Sequence, residues 1–402
     1  MRIVKITGYY KFALKYYYEQ NPQITDKSYN EQHKHLMSFG LGWANHYSKA
    51  FNKLGAEAFE IVHNASFLQK KWAEENNSTS HGNNLVLEQL KALNPDVVWF
   101  QDSFSFSDDF LKTIKIKIPN LKIIIGNCCN PYSSENLKTF SIFDFITTCS
   151  PVFIDDFNKY GIKNILLYHA IDKDILQQIS SKEKTNNDDV VFVGSIIPRK
   201  GFHLERKNFI ERIAAKDEIN FKFYGNLYNT SYTEVLKLQL LYALKKTINF
   251  SGIKINSSKL KKIENLTEFT KYYKYSKDLK NKYHGAKYGI DMFRALAKSK
   301  LTFDIQGEIG GDYAATMRLF EATGVGTVLI EENKKNIPLL FEPDKEIVTF
   351  DFFDEAMEKI IFLLENEKKT SEIAKAGQIR TLKDHTYKNR AEKLLREIKK
   401  HF

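Results

Sequence analysis

At 402 residues the chain exceeds a single ordinary domain core, so two domains of roughly 150 to 200 residues are expected. Its 43% hydrophobic and 27% charged residues are those of a globular protein and exclude a largely disordered one. The net charge of +11 leaves open a nucleic-acid partner, an anionic membrane surface or a lysine-rich background.

No window approaches the roughly 18 apolar residues that span a bilayer. The start, Met-Arg-Ile-Val-Lys, lacks the apolar stretch of a signal peptide. Cys128, Cys129 and Cys149 form neither a disulfide framework nor a Cys-x-x-Cys pair. A cytoplasmic protein is expected, with peripheral contact at the inner face of the membrane as a further option.

In chain order, short β-rich runs alternate with helix-length segments, the pattern of parallel sheets covered by helices. The first half predicts strands at 2–7, 56–62, 97–101, 122–126, 145–148 and 165–168, with helices at 35–54 and 84–93. Residues 173–189 are a polar run with the character of a linker. The second half restarts with a strand at 190–194, a helix at 205–216 and a strand at 221–225. A helical, basic insertion follows at about 228–284. The alternation resumes with helices at 288–299, 313–323 and 353–365, strands at 301–306, 327–331 and 347–350, and a closing helix at 372–400. The expected architecture is α/β: a first Rossmann-like domain (1–172), a linker (173–189), a second such domain (190–385) and a C-terminal helix (386–402) returning to the first. The two doubly wound domains face a central cleft.

Ligands of open α/β sheets lie beyond the carboxyl ends of the strands, so candidate site residues are those that follow strands. After the strand at 301–306, which ends on Gln306, come Gly307, Gly310 and Gly311, whose amides can approach a ligand closely. Asp312 is placed to cap the next helix, on which Arg318 and Glu321 share a face. Arginine can fork onto a phosphate, and a carboxylate can accept from two adjacent ribose hydroxyls. Beyond the strand at 190–194, Gly194 and Ser195 form a turn followed by Arg199, Lys200 and Arg206, cations suited to a diphosphate, and Gly225 marks a third such turn.

In the first domain Gly40 and Gly42 form a loop opening a helix that contains His46, and Asp102 follows a strand. His46 and Asp102 are the candidate catalytic residues. For each motif an ordinary alternative stands beside the functional one: a surface Arg-Glu pair, solvated cations, a packed histidine. No metal motif is present, and Asp172-Lys-Asp174 reads as a turn or cap. A metal-independent reaction without a cofactor is therefore expected.

The lysine-rich stretch at 254–287 carries ten lysines against three acids, with interleaved tyrosines. It reads as a solvated face or as a contact with anionic lipid. No nucleic-acid motif accompanies it.

Three segments carry a family resemblance: Tyr-Gly-Ile-Asp-Met-Phe-Arg-Ala-Leu-Ala-Lys-Ser-Lys-Leu (288–301), Met-Arg-Leu-Phe-Glu-Ala-Thr-Gly-Val-Gly-Thr-Val-Leu-Ile (317–330) and Ala-Gly-Gln-Ile-Arg-Thr-Leu-Lys-Asp-His-Thr-Tyr (376–387). With Val-Phe-Val-Gly-Ser (191–195), they resemble CgeB-like glycosyltransferases of GT-B architecture, distantly similar to glycosyltransferase family 4. In the first half the resemblance rests on Gln-Lys-Lys-Trp-Ala (69–73) and Asn-Pro-Asp-Val-Val-Trp-Phe-Gln-Asp (94–102). It implies a nucleotide-sugar donor on the second domain and a glycan, lipid-linked or protein acceptor on the first. It also implies that Glu321 is the second glutamate of the family 4 E-x7-E motif, which holds the ribose. Tyr313 stands where the first glutamate would be, a departure from the pattern. The leading expectation is glycosyl transfer in surface-polysaccharide or glycoconjugate synthesis. A nucleotide-sugar epimerase of the same shape and a non-catalytic ligand-binding or docking protein are the alternatives.

Overall fold

The computed structural model describes residues 1–179, 188–198, 203–228, 231–251, 271–307 and 310–402, the side chains of 249–251 excepted. β1 (Arg2–Thr7) leads through α1 (Lys11–Gln20), α2 (Tyr29–Ser38) and α3 (His46–Lys53) to β2 (Glu57–Val62). Next come α4 (Ser66–Glu75), α5 (Asn83–Leu93), β3 (Val97–Phe100), α6 (Asp108–Lys117) and β4 (Ile123–Asn127). The first domain closes with α7 (Ser134–Phe140), β5 (Phe145–Thr148), α8 (Pro151–Lys159) and β6 (Asn164–Leu166). The second runs β7 (Asp188–Val193), α9 (Leu204–Ala214), β8 (Phe221–Tyr224), α10 (Tyr232–Ser251), α11 (Lys277–Asn281), α12 (Ile290–Ala297) and β9 (Ser299–Asp304). It continues with α13 (Arg318–Val325), β10 (Val328–Glu332), α14 (Ile337–Leu340), β11 (Val348–Phe350), α15 (Phe353–Glu365), α16 (Glu367–Asp384) and α17 (Tyr387–Lys399).

Every strand pairing in both sheets is parallel. Parallel strands are buried on both faces, which is why β4 reads Ile-Ile-Ile and has no exposed residue. The first sheet has the order β2-β1-β3-β4-β5-β6 and the second β11-β10-β9-β7-β8. In each, the strand order reverses next to the domain's first strand, between β1 and β3 and between β7 and β9. Such a switch point opens a crevice at the carboxyl ends of the strands. The sequence thus builds one crevice per domain from an ordinary βα alternation.

The chain passes between the domains twice, side by side. Ile171 donates its N–H to His385 O and accepts from Tyr387 N–H, both at 3.1 Å. Beyond this tie α17 lies against α3, with Tyr387, Ala391, Leu394, Leu395 and Ile398 in one core with Tyr47 and Phe51. A fully buried leucine contributes about 1.5–3 kcal/mol, so this short helix holds its place by its apolar face.

The expected helix at 35–54 is two helices. Phe39–Asn45 interrupts it, with Gly40 and Gly42 at φ +73° and +52° and Ala44 at +37°. The carbonyl of Phe39 is turned to the second domain and accepts from Ile290 N–H at 2.9 Å. The closing helix at 372–400 likewise divides at His385 and Thr386, where Thr386 caps α17 by accepting from Asn389 N–H. The helix expected from 313 begins at Arg318.

Candidate functional site

In the second domain, side chains from four elements meet at the β7/β9 switch point. Two glycines permit the closest approach: a Cβ on Gly225 would stand 1.8 Å from Gly194 O, so the loops after β7 and β8 touch backbone to backbone. Asn226 Nδ2 donates to Ser195 Oγ (3.2 Å) and to Tyr288 Oη (2.6 Å), tying the β8 loop to the β7 loop and to the approach of α12. Arg318 Nη2 donates to Val193 O at 2.9 Å, and its Nη1 lies 2.9 Å from Glu321 Oε2. Among the described residues the buried Arg318 Nε–H has no hydrogen-bond partner.

Among the described residues α13 has no side-chain N-cap. Arg318 therefore adds its charge to the positive end of a helix whose first amides also need acceptors. An anion at this point would be stabilised by all of these donors. Glu321 is buried, and burial raises its carboxyl above the usual range, while Arg318 pulls it down.

Below this cradle lies a set of carboxylates. The register sets Glu331 beside Asp304, and Gln306 Nε2 donates to Glu331 Oε1 at 3.0 Å. Burial, then the charge of Asp304, pushes Glu331 well above the usual carboxylate range. The Gln306 N–H donates to Glu332 Oε2 and its Oε1 accepts from Ala315 N–H (3.3 Å). Gln306 is thus a brace for the loop that leads into α13.

In the first domain, the β1/β3 switch point holds a histidine–aspartate pair. His63 follows β2 and Asp102 follows β3, and His63 Nε2 lies 3.2 Å from Asp102 Oδ2. Gly8, after β1, is the only residue type that fits between them, because a Cβ there would stand 2.6 Å from His63 Nε2 and 2.7 Å from Asp102 Oδ2. Asp102 also accepts from Ser105 Oγ at 2.6 Å. Burial would raise its carboxyl, but the hydrogen bonds from His63 and Ser105 outweigh that and hold it below the usual value. An ionised carboxylate only accepts, so His63 carries its proton on Nε2 and its lone pair on Nδ1. Among the described residues no group hydrogen-bonds that Nδ1. Asn64 fixes the neighbouring turn by accepting from Tyr9 N–H (3.0 Å) and donating to Tyr9 O (2.7 Å).

The two crevices are joined across the domains. Phe12, just past β1, meets Tyr228, which follows β8, edge-on at 6.0 Å between ring centroids. Gly311, at φ +56°, faces Val152 of α8. Tyr16 Oη donates to Asp291 Oδ2 at 2.9 Å.

Residues 199–396 match a family model described as glycosyl transferase-like. No curated protein matches the sequence. Among solved structures the chain is similar to Anabaena HepE in complex with UDP and glucose, at 13% identity and a TM-score of 0.58, covering 100% of both chains. It is also similar to a glycosyltransferase from Rickettsia africae, at 11% identity and a TM-score of 0.56, covering 100% of this chain and 98% of that one. Sucrose-phosphate synthase from Thermosynechococcus elongatus gives 10% identity and a TM-score of 0.55, covering 100% of this chain and 98% of that one. The architecture is GT-B.

In this GT-B frame the expected site residues divide. Gly194, Ser195, Gly225, Gln306, Arg318 and Glu321 gather at the second switch point, and Asp102 stands at the first. Arg199 and Lys200 lie outside the described residues. Arg206 is at the second switch point but faces inward: its Nε and Nη2 donate to Ile305 O (2.9 and 2.6 Å) and its Nη1 to Ser195 O (3.3 Å). It ties the β7 and β9 loops together, which corrects its expected role as a diphosphate ligand. Gly310 N–H donates to Gly307 O at 2.7 Å. Asp312 is no helix cap, since α13 starts six residues later and the carboxylate pairs with Lys335 at 2.6 Å on the surface.

His46 is displaced most. It is buried at the crossing between domains, its Nδ1 2.6 Å from Asp172 Oδ2 and its ring 4.9 Å from that of Tyr387. Burial lowers its basicity and Asp172 partly restores it. It secures the crossing and does not face either crevice. Gly40 and Gly42 belong to the interdomain loop described above: a Cβ on Gly40 would touch Ile175 at 3.3 Å.

His63 and Gly8 carry no recognisable motif in the sequence; their signal is position, each being the first residue after a parallel strand. The described residues contain one group with metal-ligand chemistry, Cys129, Cys149 and His169, whose ligand atoms lie within 4.8 Å of one another after β4, β5 and β6. Trp43 Nε1–H donates to His169 Nδ1 (3.1 Å) and Cys149 N–H to Cys129 Sγ (3.2 Å), so the cluster is already hydrogen-bonded. Among the described residues no helix is long and apolar enough to cross a membrane.

Proposed function

We propose that the protein transfers a glycosyl group from a nucleoside-diphosphate sugar to a hydroxyl of a glycan, glycolipid or protein acceptor. The observation that carries this reading is the division of chemistry between the two switch points: an oriented histidine on one and an anion cradle with a carboxylate on the other. The glycosyl transferase-like match of the second half and the fold shared with HepE, solved with UDP and with UDP-glucose, support a donor of that class. The closer resemblance to CgeB-like enzymes belongs to the same reading.

In this account the diphosphate lies at the start of α13, against Arg318 and the first amides of that helix. Glu321 accepts from the ribose hydroxyls. The acceptor hydroxyl approaches from the first domain and gives its proton to His63 Nδ1 as its oxygen bonds to the sugar's anomeric carbon. The bond from that carbon to the diphosphate breaks, and the electron pair leaves with the phosphate oxygen. Asp102 keeps the imidazole in the productive tautomer and stabilises the imidazolium. A base placed this way suits a single displacement with inversion. We read the transfer as metal-independent because a cation and helix amides already meet the leaving charge.

The test is release of nucleoside diphosphate from a panel of UDP-, GDP-, CDP- and dTDP-sugars, with and without saccharide and lipid-linked acceptors. The expected result is release from one nucleotide class that rises when an acceptor is present. Absence of release from every donor under all conditions contradicts the proposal.

A further inference from the structure

One surface takes no part in the chemistry proposed above. Tyr232, Leu236, Leu240 and Leu244 recur every four residues along α10 and are 63%, 45%, 64% and 46% exposed, whereas Val235 is buried. Residues four apart stack on one side of a helix, so these side chains form a continuous apolar band facing outward. At its start the Tyr232 ring meets Tyr272 edge-on at 5.6 Å. Tyr228, just before α10, meets Phe12 of the first domain in the same way at 6.0 Å. Phe12 and Tyr10 are both exposed and follow β1, at the end of the strand where the first crevice opens. The band therefore begins at the mouth of the cleft, bridges the two domains and runs out along α10.

The same part of the chain holds most of its charge. Residues 231–251 and 271–282 contain eight lysines and two acids, a net of +6 out of the chain's +11. Lys237 and Lys246 stand on α10 itself, and Lys271, Lys274, Lys277 and Lys280 lie on and before α11.

We propose that this face docks on an anionic lipid bilayer, the leucines and tyrosines entering the headgroup region and the lysines meeting lipid phosphates. The two halves of the observation select the occupant together. An outward leucine band with tyrosines at its end is what an interfacial helix presents to lipid, and a polybasic surround draws it to anionic headgroups. A nucleic acid would use the lysines but not the leucines. A protein partner would use the leucines without needing so large an excess of one charge. Docked this way, the mouth of the cleft lies at the membrane surface and an acceptor anchored in the bilayer reaches it without leaving the lipid. That consequence rests on the glycosyltransferase reading; the docking does not.

The experiment is co-sedimentation of the full chain with vesicles of phosphatidylcholine alone and of phosphatidylcholine with phosphatidylglycerol. Leu236→Ser, Leu240→Ser and Leu244→Ser combined in one variant is compared with the wild type. Partition of the wild type onto the anionic vesicles is expected to be at least about tenfold stronger than onto neutral ones and to fall as salt is raised. The variant is expected to lose about tenfold or more while keeping its melting temperature and nucleotide affinity. Equal binding to both vesicle types overturns the proposal, as does a variant that binds like the wild type. A lowered melting temperature in the variant would assign the leucines to the chain's own packing. A wild-type dimer abolished by the substitutions would make the face a protein interface. Either of these also overturns it.

Discussion

Gly8 has no space for a side chain because the His63 ring and the Asp102 carboxylate already meet there. Its missing Cβ leaves His63 Nε2 and Asp102 Oδ2 within hydrogen-bond reach of each other. His63→Ala is expected to lower the rate of transfer about 10³-fold, with donor affinity and melting temperature little changed. Gly8→Ala should approach that loss although it removes no functional group, since a methyl at this point must part the pair. Transfer assays on both variants decide it, and full activity in His63→Ala would remove the histidine from the mechanism. Of the pair, Asp102 was legible in the sequence as a carboxylate just after a strand. His63 was not, because a lone histidine after Glu-Ala-Phe-Glu-Ile-Val carries no spacing that marks it. Arg206 misleads for the opposite reason. A cation just past a glycine turn reads as a phosphate ligand, but its partner is a carbonyl 99 residues away, and that proximity exists only in the fold.

The strands were legible because Val, Ile and Phe runs separated by polar segments have few other solutions. The breaks inside two helices were not. The 3.6-residue period continues through both interruptions, and what stops each helix is tertiary. Phe39 O is claimed by Ile290 N–H, and the backbone around His385 is claimed by Ile171. His385 itself is locked, its Nε2 at 2.9 Å from Leu340 O and its Nδ1 at 3.0 Å from Arg390 Nη2. The arginine only donates, so Nδ1 must accept and the ring must stay neutral. Burial, with Arg390 adding to it against the Leu340 hydrogen bond, brings the histidine down to about 4. Between roughly 6.5 and that value the unfolded chain binds a proton that the folded one refuses, so stability falls as pH drops through this window. The loss from this residue is expected to be about 2–3 kcal/mol across the window. His169, brought to about 4 first by burial and then by Arg390, acts in the same direction. Thermal melting from pH 7 to pH 4.5 should therefore show a smaller decline in His385→Gln than in the wild type. An identical decline would show that His385 stays unlocked.

At the scale of the whole molecule, a six-stranded and a five-stranded parallel sheet each reverse their strand order beside the domain's first strand, and α17 returns to the first domain to close the arrangement. The two-domain α/β architecture was readable from the alternation of strands and helices and from a polar run near the crossing. The pairing of α17 with α3 needs the apolar faces of both helices, which their sequences give only in part. In the glycosyltransferase reading proposed above, the second crevice binds the diphosphate of a sugar nucleotide through Arg318. Removing an arginine that contacts a phosphate costs about 2–3 kcal/mol, a loss of roughly 30- to 150-fold in affinity. The most direct measurement is calorimetric titration of UDP, GDP, CDP and dTDP into the wild type and into Arg318→Ala, each checked for unchanged melting temperature. The wild type is expected to bind one nucleotide selectively and the variant to lose affinity by that amount. Binding of equal strength to both proteins, or none to the wild type, would contradict that reading.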